Sequence, residues 1–416
     1  MFKTLYPIAF RRYSSLPVLG PIVDGFAAWL VERGYARRSS RRLMWRLRHI
    51  EATLSRRGVR NLNAITQADL AVCDEEMLRF DNRRGQTRAL GEYLRIRGLV
   101  KPAGRKMTSV ATRYLAEYAH YLDTVRGAAA STIRQNWYTA SEFLAHLKIG
   151  ECPGRLKNLA ISDIEAFVKK ISRRLSRASL QQIVGRLRSF LRFLAVRGEI
   201  PQGLEHQIDG PRVYQQEKLP RTLPWETVQA FLKSIDRSSL VGLRDFTIFS
   251  LMATYGLRAS DVVALTLENI HWRAGKISIS QRKTGTVLEL PLTDAVGTAL
   301  HRYLKRTSPP PPFRQIFLRV KAPIGALKTT AVSAAFRVWA RRSGLDIPGR
   351  GSSHRIRHSY AVFLLRQGTP LKTIGDLLGH RTVESTSTYL RLAIEDLRDV
   401  ALAVPTQSKP KKAVRD

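Results

Sequence analysis

The sequence has little cysteine and no long apolar run. Its two cysteines, Cys73 and Cys152, lie in no Cys-x-x-Cys pair and near no histidine cluster, so neither a disulfide framework nor a structural zinc site is supported. We expect both thiols to be buried and structural. No apolar run reaches about 18 residues and the first residues do not form a signal peptide. We therefore expect a soluble, intracellular protein.

Acidic residues are also scarce. The 416 residues include 33 Asp+Glu against 70 Lys+Arg, which gives a formal net charge of +37. This excess is far larger than solubility requires, so the expected partner is a polyanion, and nucleic acid is the first candidate. The hydrophobic content of 44% is enough for two or three domains with their own cores.

Two stretches of the N-terminal half resemble each other. Residues 29–34 parallel 121–127, residues 64–70 parallel 160–164, and residues 93–100 parallel 193–200, which indicates an internal duplication. Apolar residues recur at helical spacing in both copies, so each copy is predicted to be a small bundle of four or five helices. These apolar positions are Leu43, Leu47, Ile50 and Leu54 in the first copy, and Ile133, Trp137, Ala140 and Leu144 in the second.

The predicted polar faces of both copies are rich in arginine. Few acidic residues are placed to pair with these arginines, and uncompensated like charge on one face costs stability unless phosphates neutralise it. A solvated helix face is the alternative interpretation. The candidate DNA-binding residues are Arg38, Arg41, Arg42 and Arg46 in the first copy, and Arg173, Arg174, Arg177, Arg186 and Arg192 in the second.

The C-terminal half has a different pattern. A stretch rich in proline and glycine precedes Leu223, and a buried helix is predicted to end at Tyr255-Gly256. Residues 276–280 and 287–291 are predicted to form two short strands around a glycine-containing turn. Residues 309–312 are predicted to form a stiff proline spacer, and the last twelve residues a mobile polar tail.

One motif in this half suggests phosphodiester chemistry. Ser352-Ser353 is a predicted helix N-cap, and His354 and Arg357 then share one side of the helix at a favourable seat for a phosphate. His358 lies four residues after His354, so spacing does not decide which histidine faces a substrate. Taken alone, the motif is equally consistent with a structural His-Arg pair.

Four further sequence elements, taken together with this motif, resemble a known family. The chain contains Gly256-Leu-Arg258-Ala-Ser-Asp261, Lys283-Thr-Gly285, His354-Arg-Ile-Arg357-His358, Leu378-Gly-His380 and, nine residues later, Tyr389. In this order the five elements resemble the tyrosine recombinase (phage integrase) family over residues 108–400. The resemblance implies a mainly α fold with a small antiparallel β-sheet, in which tandem helical, SAM-like DNA-binding domains precede a recombinase catalytic domain.

The resemblance also implies roles for individual residues. Tyr389 resembles the nucleophile that forms a 3′-phosphotyrosyl bond, for which the family needs neither metal nor ATP, so no cofactor is expected. Arg258 and Arg357 would bind the non-bridging phosphate oxygens, and Lys283 would protonate the 5′ leaving group. The remaining implied roles are general acid/base near the tyrosine for His354, a phosphate hydrogen bond for His380, and support for Asp261 and His358.

The resemblance divides the chain into parts. Residues 1–16 form an N-terminal segment, 17–105 an additional helical domain resembling a duplicated core-binding module, and 108–205 the core-binding domain. Residues 206–222 form a linker, 223–402 the catalytic domain and 403–416 a basic tail. The additional domain could bind a second DNA site, extend the grip on the first, or contact another protomer.

The implied partners are double-stranded DNA and further copies of the chain. A helix after the nucleophile, with Leu390, Ile394, Leu397 and Ala401 on one face, would dock into a neighbouring protomer, giving a tetrameric synapse on two DNA sites. Other recombinases or accessory factors are further candidates. Such an enzyme, expected to belong to a bacterial mobile element, would be cytoplasmic and associated with the nucleoid when bound to DNA.

Two other functions remain as alternatives: a type IB topoisomerase, which uses a similar tyrosine and phosphate clamp, and a DNA-binding architectural protein without activity. Tyr360 and the hydroxyls of residues 385–388 are rival nucleophiles. We expect Tyr360 to pack in the core and the hydroxyl run to begin a helix.

Overall fold

The computed structural model describes residues 7–79, 85, 87–100, 109–214, 220–281, 285, 287–307, 313–347, 352–380, 382 and 384–390. The chain forms two compact units. The first comprises Met1–Ile65, Asp69–Leu99 and Lys218–Asp416, and the second comprises Thr66–Ala68 and Val100–Glu217. The described residues are mainly helical with one small antiparallel sheet, which confirms the predicted fold class.

The N-terminal helices surround a core that begins at Val18 and Leu19. Glu51 is buried beneath this turn, and its two carboxylate oxygens accept hydrogen bonds from the backbone N–H groups of Val18 and Leu19, both at 2.9 Å. Leu47 and Leu54 are fully buried on the same helix, as their spacing predicted. The helices are α1 (Pro7–Ser14), α2 (Val23–Glu32), α3 (Arg37–Arg56), α4 (Gln67–Met77) and α5 (Arg88–Ile96).

The second unit is a helical bundle around buried aromatic rings. Tyr118 contacts Phe190 and Phe193 with ring centroids 4.9 and 5.2 Å apart, and Phe143 packs edge-on against Phe167. All five side chains belong to one apolar core. The helices are α6 (Ser109–Thr124), α7 (Ala130–His146), α8 (Ile161–Ser172) and α9 (Arg177–Val196).

The last helices of the two bundles end in the same way. α5 is followed by Gly98 and α9 by Gly198, and both glycines are left-handed, with φ of 70° and 67°. The guanidinium of Arg97 lies 5.9 Å from the ring of Tyr93, and that of Arg197 lies 5.4 Å from the ring of Phe193. The sequence parallel between residues 93–100 and 193–200 is therefore also a parallel in local structure.

Within the first unit, the loop between α2 and α3 contacts a loop of the C-terminal half. The backbone N–H of Ile324 donates to the carbonyl of Arg33 at 2.9 Å. Gly34 has φ of +73°, and a Cβ at this position would lie 2.2 Å from Cδ1 of Ile324. A side chain at residue 34 would therefore meet both backbone strain and a close neighbour.

The C-terminal half packs helices around a three-stranded sheet. β2 (Lys276–Ser280) and β3 (Val287–Pro291) form the predicted hairpin with Ile277 opposite Leu290. The two-residue strand β1 (Ile270–His271), which was not predicted, pairs with β2. The helices are α10 (Trp225–Ser234), α11 (Leu240–Tyr255), α12 (Ala259–Ala264), α13 (Asp294–Thr307), α14 (Thr329–Arg342), α15 (His354–Arg366), α16 (Leu371–Leu378) and α17 (Glu384–Ser387).

Two sequence-based expectations are wrong. Cys73 is buried, and burial raises its pKa to about 12, but Cys152 is exposed because it precedes the surface 3₁₀ turn Pro153–Leu156. Arg46 is buried in the first bundle, so it is not available to DNA.

No helix among the described residues is long and apolar enough to cross a membrane. Several sequence predictions lie outside the described residues: Lys283, the proline spacer 309–312, the helix positions Ile394, Leu397 and Ala401, and the tail.

Candidate active site

Arg258 follows a sharp turn at the C-terminal end of α11. Gly256 ends this helix with φ of +62°, and a Cβ there would lie 2.6 Å from atoms of both Leu378 and Tyr360. Only glycine fits this conformation and this space without strain. The turn thus brings Arg258 to the start of α12, beside the end of α16.

Two acceptors orient the guanidinium of Arg258. Its Nη1 donates to Oε1 of Gln281 at 3.1 Å, and Oδ2 of the buried Asp261 lies 3.9 Å from the same nitrogen. A guanidinium has five N–H donors, so these contacts leave most of them for an anionic ligand. The buried carboxylate of Asp261 therefore lies within ion-pair distance of Arg258.

Arg357 is almost fully buried on α15. Its Nη1 donates to the carbonyl of Gly256 at 2.7 Å, and its Nη2 donates to the carbonyl of Leu378 at 2.6 Å. Burial, and secondarily the charge of Arg258, lowers its pKa to about 10, so the group is still a cation at neutral pH. Arg357 ties together the turn before Arg258 and the turn before His380.

Gln281 was not predicted from the sequence. It directly follows the strand β2 and is nearly fully buried, and its backbone carbonyl accepts from the N–H of Gly285 at 2.7 Å. A Cβ on Gly379 would lie 1.9 Å from Oε1 of Gln281, so the amide packs directly on that glycine. Gln281 therefore joins the hairpin, Arg258 and the Gly379-His380 turn, and no sequence spacing signals this contact.

Tyr389 is buried, and its hydroxyl meets a histidine. Its Oη lies 2.9 Å from Nδ1 of His358, and burial raises its pKa, while Arg357 and Arg258 oppose this rise. The pKa of His358 is lowered to about 4 by burial, then by His354, Arg357 and His380. His358 is thus a neutral imidazole at pH 7, and its Nδ1 can accept a hydrogen bond from the tyrosine hydroxyl.

The other two histidines flank this pair. His354 is exposed, and its ring lies 4.5 Å from that of His358; the histidine at the Tyr389 hydroxyl is therefore His358 and not His354. Nδ1 of His380 lies 2.8 Å from Oγ1 of Thr386, and the His380 ring is nearly parallel to that of Tyr389 at 6.3 Å. The N-cap residue of α15 is Ser353, whose side chain makes no capping hydrogen bond; Oγ of the preceding Ser352 accepts from the N–H of His354 at 3.3 Å.

The rival nucleophiles lie in less suitable surroundings. Tyr360 is half-buried with its ring 6.1 Å from that of Trp225, and burial raises its pKa. The hydroxyl run forms the short helix α17 as expected, with Thr386 buried against His380. Neither Tyr360 nor Thr386 shares the His358 contact that Tyr389 makes.

The candidate DNA-binding arginines differ in exposure. In the first bundle Arg38, Arg41 and Arg42 are exposed on α3. In the second unit Arg186 is half-buried and donates to Gln135, and Arg174 pairs with Glu142. The exposed members there are Arg173, Arg174, Arg177 and Arg192.

Known proteins are similar to this chain over most of its length. Residues 221–395 match the phage integrase family, and residues 115–198 match the SAM-like N-terminal domain of phage integrases. The chain is 31% identical over 411 residues to the y4rA protein of Sinorhizobium fredii, named as an integrase/recombinase, covering 95% of this chain and 97% of that one. The chain belongs to the phage integrase family of tyrosine recombinases.

Other tyrosine recombinases match a smaller part of the chain. The tyrosine recombinase XerD of Listeria monocytogenes is 27% identical over 292 residues, which cover 69% of this chain and 96% of that one. A solved lambda integrase tetramer bound to a Holliday junction shares the fold with a TM-score of 0.53 and 18% identity, covering 74% of this chain and 87% of that one. The chain accordingly belongs to a family of DNA strand transferases.

Proposed function

We propose that this recombinase cuts and rejoins double-stranded DNA through a covalent bond between Tyr389 and a 3′ phosphate. The observation that carries the proposal is the 2.9 Å contact between Oη of Tyr389 and Nδ1 of His358, next to Arg357. A nucleophile paired with a neutral base beside a fixed cation is the arrangement that attack on a phosphodiester requires.

In the first step, Oη of Tyr389 attacks phosphorus and its proton passes to Nδ1 of His358. The bond from phosphorus to the 5′ oxygen breaks, and Lys283 protonates that oxygen, so a 3′-phosphotyrosyl ester and a free 5′ hydroxyl result. Arg258 and Arg357 neutralise the charge that grows on the non-bridging oxygens.

In the second step, the 5′ hydroxyl of another strand attacks the phosphotyrosyl ester. The proton of this 5′ hydroxyl passes to Lys283, a new phosphodiester forms, and Tyr389 leaves, taking back the proton from His358. His354 and His380 hydrogen-bond the phosphate, and Asp261 holds Arg258. The reaction needs no external energy source, because each step exchanges one phosphate ester for another.

The parts of the chain divide the remaining work. Residues 223–402 carry the chemistry, and residues 108–205 grip the core site through Arg173 and Arg174, which follow α8, and through the arginines of α9. One structural neighbour is a lambda integrase tetramer bound to a Holliday junction, which supports a tetrameric synapse on two DNA sites. The relative y4rA, named as an integrase/recombinase, supports a role in DNA integration, and we infer integration or excision of a mobile element.

Strand exchange between two plasmid-borne copies of the DNA that flanks the coding region tests this function. We expect recombinant products that require those sequences, and none from Tyr389→Phe. A plasmid of unrelated sequence is the control. Relaxation of that supercoiled control without recombination would favour a topoisomerase, and binding without either reaction would favour an architectural protein.

A further inference from the structure

The two helical bundles also share the backbone structure that leads into α3 in the first bundle and into α7 in the second. Gly34 and Gly127 are left-handed, with φ of 73° and 56°. The next helix begins after Ala36 in one bundle and after Ala129 in the other, and both residues have φ of −59°, with ψ of 146° and 145°. Both pairs are separated by 93 positions, since 127 − 34 and 129 − 36 are equal. Positions in α3 and α7 can therefore be matched one to one.

In this match, two exposed aromatic residues occupy equivalent positions in the two bundles. Trp45 corresponds to Tyr138, and they are 44% and 60% exposed. Arg41 and Arg134, one turn earlier, also correspond and are exposed. On the opposite side of the helices, Leu47 and its counterpart Ala140 are fully buried.

The exposed face of α3 is strongly basic, and we call it the α3 basic face. The acidic residue of α3 is Glu51, which is buried and accepts the two backbone hydrogen bonds at Val18 and Leu19. It therefore cannot neutralise the surface. The α3 basic face consists of Arg38, Arg41, Arg42, Trp45 and Arg48.

The geometry of this face suits duplex DNA. Arg38 and Arg48 are ten residues apart, roughly 15 Å along a helix. A duplex carries one phosphate charge per about 1.7 Å of its axis, so this length faces several phosphates. Apart from Trp45 and Ala52, every exposed residue of α3 is arginine or serine, whereas protein interfaces have an apolar centre.

We propose that the α3 basic face is a second duplex-DNA-binding surface, which the duplication has placed at the position that Tyr138 and Arg134 occupy in the core-binding bundle. Its arginines contact phosphates, and Trp45 packs on a sugar or a base edge. The inference rests on the proposed function, in which the core-binding bundle holds DNA, and it gives the additional bundle a binding site of its own.

The test for phosphate binding compares two double variants of the full chain. Fluorescence anisotropy with a labelled duplex of mixed sequence, over a series of KCl concentrations, gives the dependence of affinity on salt. We expect Arg41→Gln with Arg42→Gln to reduce the slope of log K against log[KCl] by about 1.8, because each phosphate that an arginine neutralises adds about 0.9 to the slope. Arg60→Gln with Arg95→Gln removes the same charge from exposed positions elsewhere in the bundle and should leave the slope nearly unchanged. Equal slopes for the two double variants would overturn the proposal.

Trp45 provides an independent readout. Trp45→Ala should weaken duplex binding about fivefold or more with the slope unchanged, while Trp45→Phe should retain most of the affinity. If Trp45→Ala leaves the affinity unchanged but lowers the molar mass by light scattering, the face contacts protein and the proposal fails. Failure of covalent attachment at Tyr389 with these binding effects intact would reject the proposed function alone.

Discussion

The hydroxyl of Tyr389 lies 2.9 Å from Nδ1 of His358, a residue to which the sequence motif assigned only a supporting role. His354 opens the motif but stands outside this contact, with its ring 4.5 Å from that of His358. The nearby cations and burial keep His358 neutral, since its pKa is lowered to about 4. In the proposed mechanism, the histidine that receives the tyrosine proton therefore already lies at the Tyr389 hydroxyl before DNA binds.

His358→Asn should separate the two histidines. Asparagine can keep a hydrogen bond to Oη of Tyr389 but cannot take its proton, so we expect covalent attachment to slow by about 100-fold or more. DNA affinity should change little. His354→Asn is the matched variant on the same helix and should slow attachment less. The opposite ranking in single-turnover cleavage would identify His354 as the proton acceptor.

The same pKa makes stability depend on pH. Folded His358 has a pKa of about 4 against an ordinary 6.5, so the unfolded chain binds more protons between these values. Its contribution to the free energy of unfolding is fully present above pH 6.5 and is lost as the pH falls towards 4, by about 2 to 3 kcal/mol. The free energy of unfolding, measured by chemical denaturation, should fall less steeply between pH 6.5 and pH 4 for His358→Asn than for the unaltered chain. Parallel curves would contradict the low pKa.

Gln281 is expected to matter for catalysis because it orients Arg258. Gln281→Met keeps the volume but removes the acceptor at 3.1 Å, and should slow cleavage about tenfold. Gln281→Glu places a carboxylate on Arg258 and should slow it further, because the guanidinium charge would be neutralised before phosphate arrives. Single-turnover rates, with thermal unfolding as the check on folding, measure both. Unchanged rates in a folded Gln281→Glu variant would contradict the orienting role.

Gly34 and Gly127 form a natural matched pair. Alanine at either position meets left-handed backbone, which costs about 1 kcal/mol, but only residue 34 also lies against Ile324. Gly34→Ala should therefore speed hydrogen exchange at the Ile324 amide, and Gly127→Ala should not. The same exchange rate at Ile324 in both variants would show that the contact does not depend on residue 34.

Much of the fold and of the site could be predicted from the sequence. Alternation of apolar and polar residues around a glycine-containing turn predicts both hairpin strands with the observed bounds. The strand β1 has only two residues, which is too short for an alternating pattern to be detected. Arg46 was misplaced because a spacing of four residues drifts by roughly 40° per step on a helix of 3.6 residues per turn. After two such steps from Arg38, residue 46 has turned towards the core side, where Leu47 is buried.

The site illustrates what spacing leaves open. His354 and His358 share one helix, so their order in the chain could not show which of them meets Tyr389. Gln281 joins a strand end, a helix start and a turn that are far apart in sequence, and such contacts depend on tertiary packing. The motif residues themselves were recognisable because the chemistry constrains their types and order.

The most direct test of the account is the identity of the residue that becomes attached to DNA. A suicide duplex from the flanking DNA, nicked near the cleavage site, should trap a covalent complex whose proteolytic peptide carries the nucleotide on Tyr389. Tyr389→Phe should give no complex, and Tyr360→Phe should give as much as the unaltered chain. A complex formed by Tyr389→Phe, or a nucleotide found on another residue, would contradict the assignment.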